Sequence, residues 1–398
     1  MPTLELQTCR LRVCGLVQGV GFRPFVYRLA NSLELCGWVC NDEAGVQIHL
    51  EGSPDKIDLF KASLVEGSPA AARIESVTSD PADLEDVAGF YIRFGSSGQS
   101  SALRARVPAD RAICTLCQAE IRDPSNRRYR HPFATCTECG PRYSILEQIP
   151  YERRHTSMAS FRMCIECAVE YAAPVDRRFH AEPIACPQCG PVLHFSEPAS
   201  SVRRERWDAL VAAADALRAG KIVALKGLGG YHLLAHAQHQ GAIDQLRRRK
   251  QRPSKPFAVM VASIDEAEHW GHVSPREREL LLSAENPIVL VRRRRSLDPG
   301  VAPNASRLGL MLPTTPLHAL LLSLCGFPVV ATSGNQNEEP IVIDEIQSDS
   351  LTGIADAFLD HDRPIVRRVD DSVVRVIDEQ PMMLRLARGY APYTLTEL

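Results

Sequence analysis

The sequence predicts an α+β multidomain protein: a ferredoxin-like domain, a duplicated four-cysteine zinc module and an α/β domain with a twisted mixed sheet. Three observations carry this expectation. Residues 9–94 follow a β-α-β-β-α-β order, eight cysteines form four C-x-x-C pairs, and strand and helix patterns mix after Trp207. At 398 residues the chain exceeds one ordinary core, because domains run about 100–200 residues. The expected domains are 1–95, 109–195 and 205–392.

In CRLRVCGL, Leu11 and Val13 alternate with Arg10, Arg12 and Cys14, the period of a strand. Phe25, Leu29 and Leu33 then recur at helical spacing after Pro24. GWVCN, a turn at Asp42 to Gly45, and VQIHLEG with alternating Val46, Ile48 and Leu50 predict a hairpin. A helix from Pro54 to Val65 and strands at RIESVTS and FYIRF complete the first domain. GSSGQSSALRARVPAD, residues 95–110, is small, polar and unpatterned, and predicts a linker. From Trp207 the expected order is a helix to Ala219, strand KIVALK, a helix to Arg249, strand FAVMVAS, helices to Ser283, strand PIVLVR, then LGLMLP, a helix and FPVVATS.

Charged residues at 24% and hydrophobic ones at 45% describe a soluble globular protein. No apolar run approaches the roughly 20 residues that cross a bilayer, so no membrane partner is expected. The opening MPTLELQTCRLRVCGL lacks a basic segment, an apolar stretch and a small-residue cleavage site, so the cytoplasm is the expected compartment. A formal net charge of −2 gives no global reason to expect nucleic acid as a partner.

The cysteine region is an internal repeat. Cys114, Cys117, Cys136 and Cys139 recur fifty residues later as Cys164, Cys167, Cys186 and Cys189, together with Pro124 and Pro174, Arg127 and Arg177, Arg128 and Arg178, Tyr129 and Phe179, and a closing Gly-Pro. Eighteen residues separate the two pairs in each copy, the spacing of tetrahedral zinc sites. Four thiolates leave no open position for water, so two structural Zn2+ sites are expected. Local pairing within each copy is the simplest arrangement; a nested one joining outer pairs and inner pairs fits the same spacing. His131 and His180 are expected outside the ligand set. The other five cysteines, Cys9, Cys14, Cys36, Cys40 and Cys325, are expected to pack as small apolar side chains.

CGLVQGVGFRPF, residues 14–25, joins a strand to a helix start. Unpaired backbone N–H groups and the positive helix end there form an anion cradle. Gly19 and Gly21 permit close backbone approach, and Arg23 offers a forked pair of charge-assisted hydrogen bonds. A phosphate fits; the glycines alone also fit a tight turn with a solvated arginine. Further on, Arg247, Arg248, Arg249, Lys250, Arg252 and Lys255 concentrate charge within nine residues, enough for a triphosphate. Arg247 and Arg248 also suit a solvated helix end, and the RRRR run at 292–295 a solvated loop.

GLVQGVGFRPFVYRLANSLELCGWVCNDEAGVQIHLEG resembles the acylphosphatases along its whole length. That resemblance implies that Arg23 and the backbone of Gln18, Gly19, Val20, Gly21 and Phe22 hold a phosphoryl group, while Asn41 orients the attacking water. KGLGGYHLLAHA, LRRRKQRPSKPFAVMV, TSGN followed by EEPI, DDSVVRV and LRLARGY are similar to YrdC-like domains. By position this implies ATP and acyl-adenylate binding by Lys226, Lys250, Arg252, Lys255, Ser333, Asn335, Ser372 and Arg385, with Mg2+ accompanying ATP.

An acylphosphatase-like domain, a duplicated four-cysteine module and a YrdC-like domain, in that order, resemble the HypF family of hydrogenase maturation carbamoyltransferases over essentially all 398 residues. The family resemblance implies that carbamoyl phosphate is cleaved at the first site and the carbamate adenylated with ATP at the second. Carbamoyl-AMP then passes its carbamoyl group to the C-terminal cysteine of HypE, towards the cyanide ligands of NiFe hydrogenase. Members of the family continue into a large C-terminal domain that performs this transfer, whereas this sequence stops at ARGYAPYTLTEL. The first two steps are therefore expected of it, and the transfer is expected to need a further domain or chain. Two rival readings are a YrdC-type threonylcarbamoyl-adenylate synthase of tRNA modification and a non-enzymatic zinc-ribbon nucleic-acid binder suggested by RRY, RRF and RRRK.

Overall fold

The structure, a computed structural model, describes residues 6–94, 106–198, 200, 202–336, 339–344 and 349–393. Most of the expected linker, 95–105, lies outside the described residues. The chain divides into two compact units, one within Met1–Pro108, Thr135–Glu138 and Leu146–Ile184, the other within Ala109–Ala134, Cys139–Ile145 and Ala185–Leu398.

In the first unit β1 (Gln7–Leu16), α1 (Phe22–Ser32), β2 (Cys36–Asn41), β3 (Val46–Gly52), α2 (Pro54–Glu66), β4 (Arg73–Pro81) and β5 (Phe90–Ile92) follow the predicted order. The sheet runs β4-β1-β3-β2-β5. β3 lies antiparallel between β1 and β2, so Val46 pairs with both Val13 and Asn41. The carboxyl ends of β1 and β2 therefore lie at the same end of the sheet. Alternation places Leu11, Val13, Ile48 and Leu50 in the core. On α1 the fully buried apolar stripe is Phe22, Val26 and Ala30, with Phe25, Leu29 and Leu33 packed beside it and only partly buried. Both sets have helical spacing, and the turn at Gly21 decides which one faces the sheet.

Two short helices follow the first cysteine of each repeat, α3 (Thr115–Glu120) and α4 (Ile165–Ala172). The second unit then contains β6 (Leu193–Ser196), β7 (Arg204–Glu205), α5 (Arg206–Arg218), β8 (Val223–Lys226), β9 (Tyr231–His236), α6 (Gln240–Arg249), β10 (Ala258–Met260), α7 (Ile264–Trp270), β11 (Gly271–His272) and α8 (Pro275–Leu282). It continues through β12 (Ile288–Arg293), β13 (Arg307–Met311), α9 (Pro316–Cys325), β14 (Val329–Ser333), β15 (Ala357–His361), β16 (Val373–Ile377) and β17 (Gln380–Arg385). The sheet order is β17-β16-β12-β13-β10-β14-β9-β8-β15-β6-β7, with β11 beside β12. Parallel pairs β10/β13, β12/β16 and β15/β8 make it mixed. On β8, Val223 and Leu225 enter the core beneath α5 and α9, while Ala224 enters the one beneath α6, α7 and α8. Helices thus cover both faces.

The sequence reading lacks β6, β7, β9, β11 and β15 to β17. Five of the six residues of YHLLAH are buried, so no polar alternation marks it, and a short apolar run does not distinguish strand from helix. The arginine run also differs: Arg292 and Arg293 belong to β12, and the N–H groups of Arg294 and Arg295 donate to the Trp270 carbonyl. Arg247 is no solvated helix end. Its guanidinium donates to the carbonyls of Gly300 at 2.5 Å and Arg252 at 2.6 Å.

Candidate functional site

The β1–α1 loop turns through Gly19 (φ 66°) and Gly21 (φ 77°), left-handed conformations open to glycine. A Cβ on Gly19 would also lie 2.6 Å from Pro108 Cγ and 3.2 Å from the Tyr151 ring. Gly21 is the N-cap of α1; no side chain caps the helix and its first turn holds no acid, so the helix start keeps its positive end. Val20 and Phe22 are buried in the apolar core and set the loop on the sheet. Gln18 is a buried brace: its Nε2 donates to the carbonyls of Asp42 (2.7 Å) and Gly45 (2.8 Å), and its Oε1 accepts from Tyr151 N at 2.8 Å. Asn41 is wholly buried, and its Nδ2 donates to the Tyr151 carbonyl at 3.0 Å while its Oδ1 has no hydrogen-bond partner. One main-chain residue, Tyr151, thus fixes both Gln18 and Asn41.

Arg23, on the first turn of α1, is 6% exposed. Its Nη2 lies 2.6 Å from Glu182 Oε1, and its Nη1 lies 3.9 Å from Glu152 Oε1. Burial pulls the guanidinium down, but Glu182, Tyr171 and Glu152 outweigh it and keep the group charged. Sequence reasoning missed Glu182, Glu152 and Tyr171. A signal for two of them exists in the repeat: at an offset of fifty, Glu182 stands where the first copy has Pro132, and Tyr171 where it has Ile121.

The four thiols Cys114, Cys117, Cys136 and Cys139 lie within 4.8 Å of one another, and so do Cys164, Cys167, Cys186 and Cys189. Pairing is local, not nested, and each set matches tetrahedral zinc chemistry. His131 and His180 stand outside both clusters. Cys114 and Cys164 cap α3 and α4, their sulfurs accepting from the N–H of Cys117 (3.4 Å) and Cys167 (3.5 Å). One of the two repeated arginine pairs is structural: Arg128 Nε donates to the Ala185 carbonyl at 2.9 Å, and Arg178 Nε to the Thr135 carbonyl at 3.0 Å. Each therefore grips the residue before the third cysteine of the other copy. Both are buried, which removes them from any nucleic-acid surface.

In the second unit a cleft of about 310 Å³ is lined by Arg252, Lys255, Ser333, Asp370 and Arg385, with Ile288, Leu290 and Ala331 on its apolar side. Lys250 ends α6 beside it. Its Nζ donates to the carbonyls of Ser333 and Asn335 and to Asn335 Oδ1, each at 2.7 Å. Ser333 Oγ also donates to Asn335 Oδ1 at 2.9 Å. Burial, with Arg252 and Lys255 nearby, brings Lys250 down to about 7, and burial with Arg247 and Arg385 brings Arg252 down to about 10. Arg385 Nη1 donates to the Asp371 carbonyl at 3.4 Å. Two of the sequence-predicted residues are placed otherwise. Lys226 is buried and donates to the His361 carbonyl at 2.9 Å, and the buried Ser372 hydroxyl donates to the Arg388 carbonyl (2.9 Å) and accepts from Ala387 N (2.7 Å). Neither lines the cleft; Lys250 and Asn335 do not line it either, but they bond to Ser333, which does. Sequence reasoning also missed the half-buried Asp371, bound to His232 at 2.9 Å and Arg388 at 2.8 Å.

These parts define a class: a chain joining an acylphosphatase-like cradle, two four-cysteine zinc fingers and a Sua5/YrdC-like sheet. Residues 9–92 match the acylphosphatase family, 113–146 and 163–195 the HypF finger, and 215–387 the Sua5/yciO/yrdC family described as telomere recombination. The chain resembles the HypF proteins along nearly its whole length. It is 48% identical over 394 residues to the carbamoyltransferase HypF of Synechocystis sp., covering 98% of this chain and 51% of that protein. A crystal structure of full-length HypF in the phosphate- and nucleotide-bound form superposes with a TM-score of 0.92 at 43% identity, covering 98% of this chain and 51% of that one. The crystal structure of T. kodakarensis HypF gives 0.90 at 39% identity, covering 97% and 50%. The chain thus spans about half the length of the curated relatives it matches. No described helix is long and apolar enough to cross a membrane.

Proposed function

We propose that this chain cleaves carbamoyl phosphate at the Arg23 cradle and activates the released carbamate with ATP at the cleft beside Lys250. The observation that carries the reading is the pair of buried polar groups at one end of the sheet, a charged Arg23 at an uncapped helix start and an Asn41 Oδ1 without a partner. A phosphoryl group suits the first and a water donating a hydrogen bond suits the second. A relative solved with phosphate and nucleotide bound supports these two classes of ligand.

Loop N–H groups of residues 18–22 and the Arg23 guanidinium stabilise the charge that builds on the phosphoryl oxygens. Water held by Asn41 attacks phosphorus, the bond to the carbamoyl oxygen breaks, and carbamate and inorganic phosphate result. Because an acyl phosphate already carries a good leaving group, positioning supplies most of the acceleration. The carbamate oxygen then attacks the α-phosphorus of ATP, giving carbamoyl-AMP and pyrophosphate. Arg252, Lys255 and Arg385 meet the phosphate charge, and Lys250 holds Ser333 and Asn335 in place. Mg2+ would accompany the nucleotide and neutralise part of its charge. The carbamoyl group is destined for the C-terminal cysteine of HypE, in the cytoplasm.

Pyrophosphate exchange into ATP tests the scheme. It should require carbamoyl phosphate and disappear in Arg23→Ala. Exchange supported instead by threonine with bicarbonate would replace this reading by a threonylcarbamoyl-adenylate synthase.

A further inference from the structure

The guanidinium assigned to the phosphoryl group already holds a carboxylate. Glu182 Oε1 sits 2.6 Å from Arg23 Nη2, and Glu182 Oε2 accepts from Tyr171 Oη and Arg153 N, each at 2.9 Å. Arg23 and Glu182 are both buried, so solvent screens little between them. The residues come from different modules: Arg23 lies within the acylphosphatase match at 9–92, Glu182 within the second finger at 163–195.

The duplication separates what a zinc knuckle needs from what this carboxylate adds. The first copy gathers its four thiols with Ile121 and Pro132 at the positions that hold Tyr171 and Glu182 in the second. Acid and phenol are therefore dispensable for a cluster of four thiols. In the second copy Glu182 points at Arg23, and Tyr171 donates to Glu182.

We infer that Glu182 is a positioning residue of the cradle that competes with the phosphoryl group for Arg23, holding the guanidinium while the cradle is empty and taking a proton from solvent when a phosphoryl dianion binds. The inference rests on the cradle reading above. Two anions against one buried guanidinium repel strongly, and a proton on one of them removes the repulsion. When phosphate leaves, the proton returns to solvent and Glu182 takes Arg23 back.

The surroundings suit a single titrating group. Burial pushes the Glu182 carboxyl up, opposed by Arg23 from α1, Tyr171 from α4 and the Arg153 N–H. Glu152, also facing Arg23, is paired with Arg154 Nε at 2.9 Å. His180 is held down at about 3 by burial and Arg23, and the Cys40 thiol on β2 is pushed up to about 11, mainly by burial, so both stay neutral.

Calorimetric titration of the zinc-loaded full chain with sulfate, a tetrahedral dianion without a proton of its own near neutrality, tests this. Buffers of different ionisation enthalpy report the proton count, and subtracting the signal of Arg23→Ala removes sulfate bound elsewhere. Wild type should take up about one proton per sulfate, with affinity falling up to about tenfold per pH unit once Glu182 ionises. Glu182→Gln should bind more tightly at pH 8, without uptake or pH dependence. Tyr171→Phe, which strips a hydrogen bond from the ionised form, should move the fall in affinity to higher pH and serves if Glu182→Gln loses zinc or its fold. Cradle binding by wild type without proton uptake, or uptake that persists in Glu182→Gln, would overturn the inference alone. Equal sulfate binding by wild type and Arg23→Ala would overturn the cradle reading itself.

Discussion

The Asn41 side chain donates to the Tyr151 carbonyl at 3.0 Å, which turns its unpartnered Oδ1 away from that bond as a fixed acceptor. A residue 110 positions away thereby sets the orientation of a β2 amide. Asn41→Ala should lower kcat for carbamoyl phosphate hydrolysis about 100-fold with little change in KM, since water loses its positioning while Arg23 still binds the phosphoryl group. Steady-state phosphate release measures both constants.

Removing the arginine braces should loosen the zinc region. In Arg128→Met the Ala185 carbonyl loses a charged donor in a buried setting, and in Arg178→Met the Thr135 carbonyl does. Each should destabilise by about 1–3 kcal/mol and speed zinc release to a chelator. Wild-type release rates in both variants would remove the structural role assigned to the pair.

Stability should fall in mild acid. His180 and His318 are held down at about 3 by burial, with Arg23 near the first and His232 near the second. Below about pH 6.5 the unfolded chain therefore binds protons that the folded one refuses. Each histidine should lower stability by up to about 1.4 kcal/mol per pH unit between 6.5 and 5. Denaturant titrations of the corresponding unit, with zinc content checked, should show a flatter profile for His180→Phe and His318→Phe.

Nucleotide binding should weaken in base. Three acceptors surround Lys250 Nζ, so it serves as an ammonium, yet burial brings it down to about 7. Above that pH the amine loses a donor and its charge, and ATP binding must restore the proton. ATP affinity should drop up to about tenfold per unit above pH 7. Lys250→Met should abolish the pH dependence and most of the binding, read by calorimetric titration with ATP at several pH values.

Much of this was written in local sequence. Alternation in CRLRVCGL and VQIHLEG, the Gly19 and Gly21 loop and the repeated C-x-x-C spacing each depend on a few neighbouring residues. Periodicity and ligand geometry act over such windows, so the elements of the first unit and both zinc clusters were legible. The basic residues at 247–255 announced an anion, but not that Lys250 would spend its hydrogen bonds on Ser333 and Asn335.

Partnership across long separations came only with tertiary structure. Arg23 meets Glu182 across 159 positions, Gln18 meets Tyr151 across 133, and Lys226 turns to His361 across 135. Burial forces each such group to find a partner, but which partner it finds depends on where the fold brings distant segments together. Composition and spacing thus determined what anion chemistry the chain can offer; the packed units decided which arginine is held by an internal carboxylate and which are committed to structure.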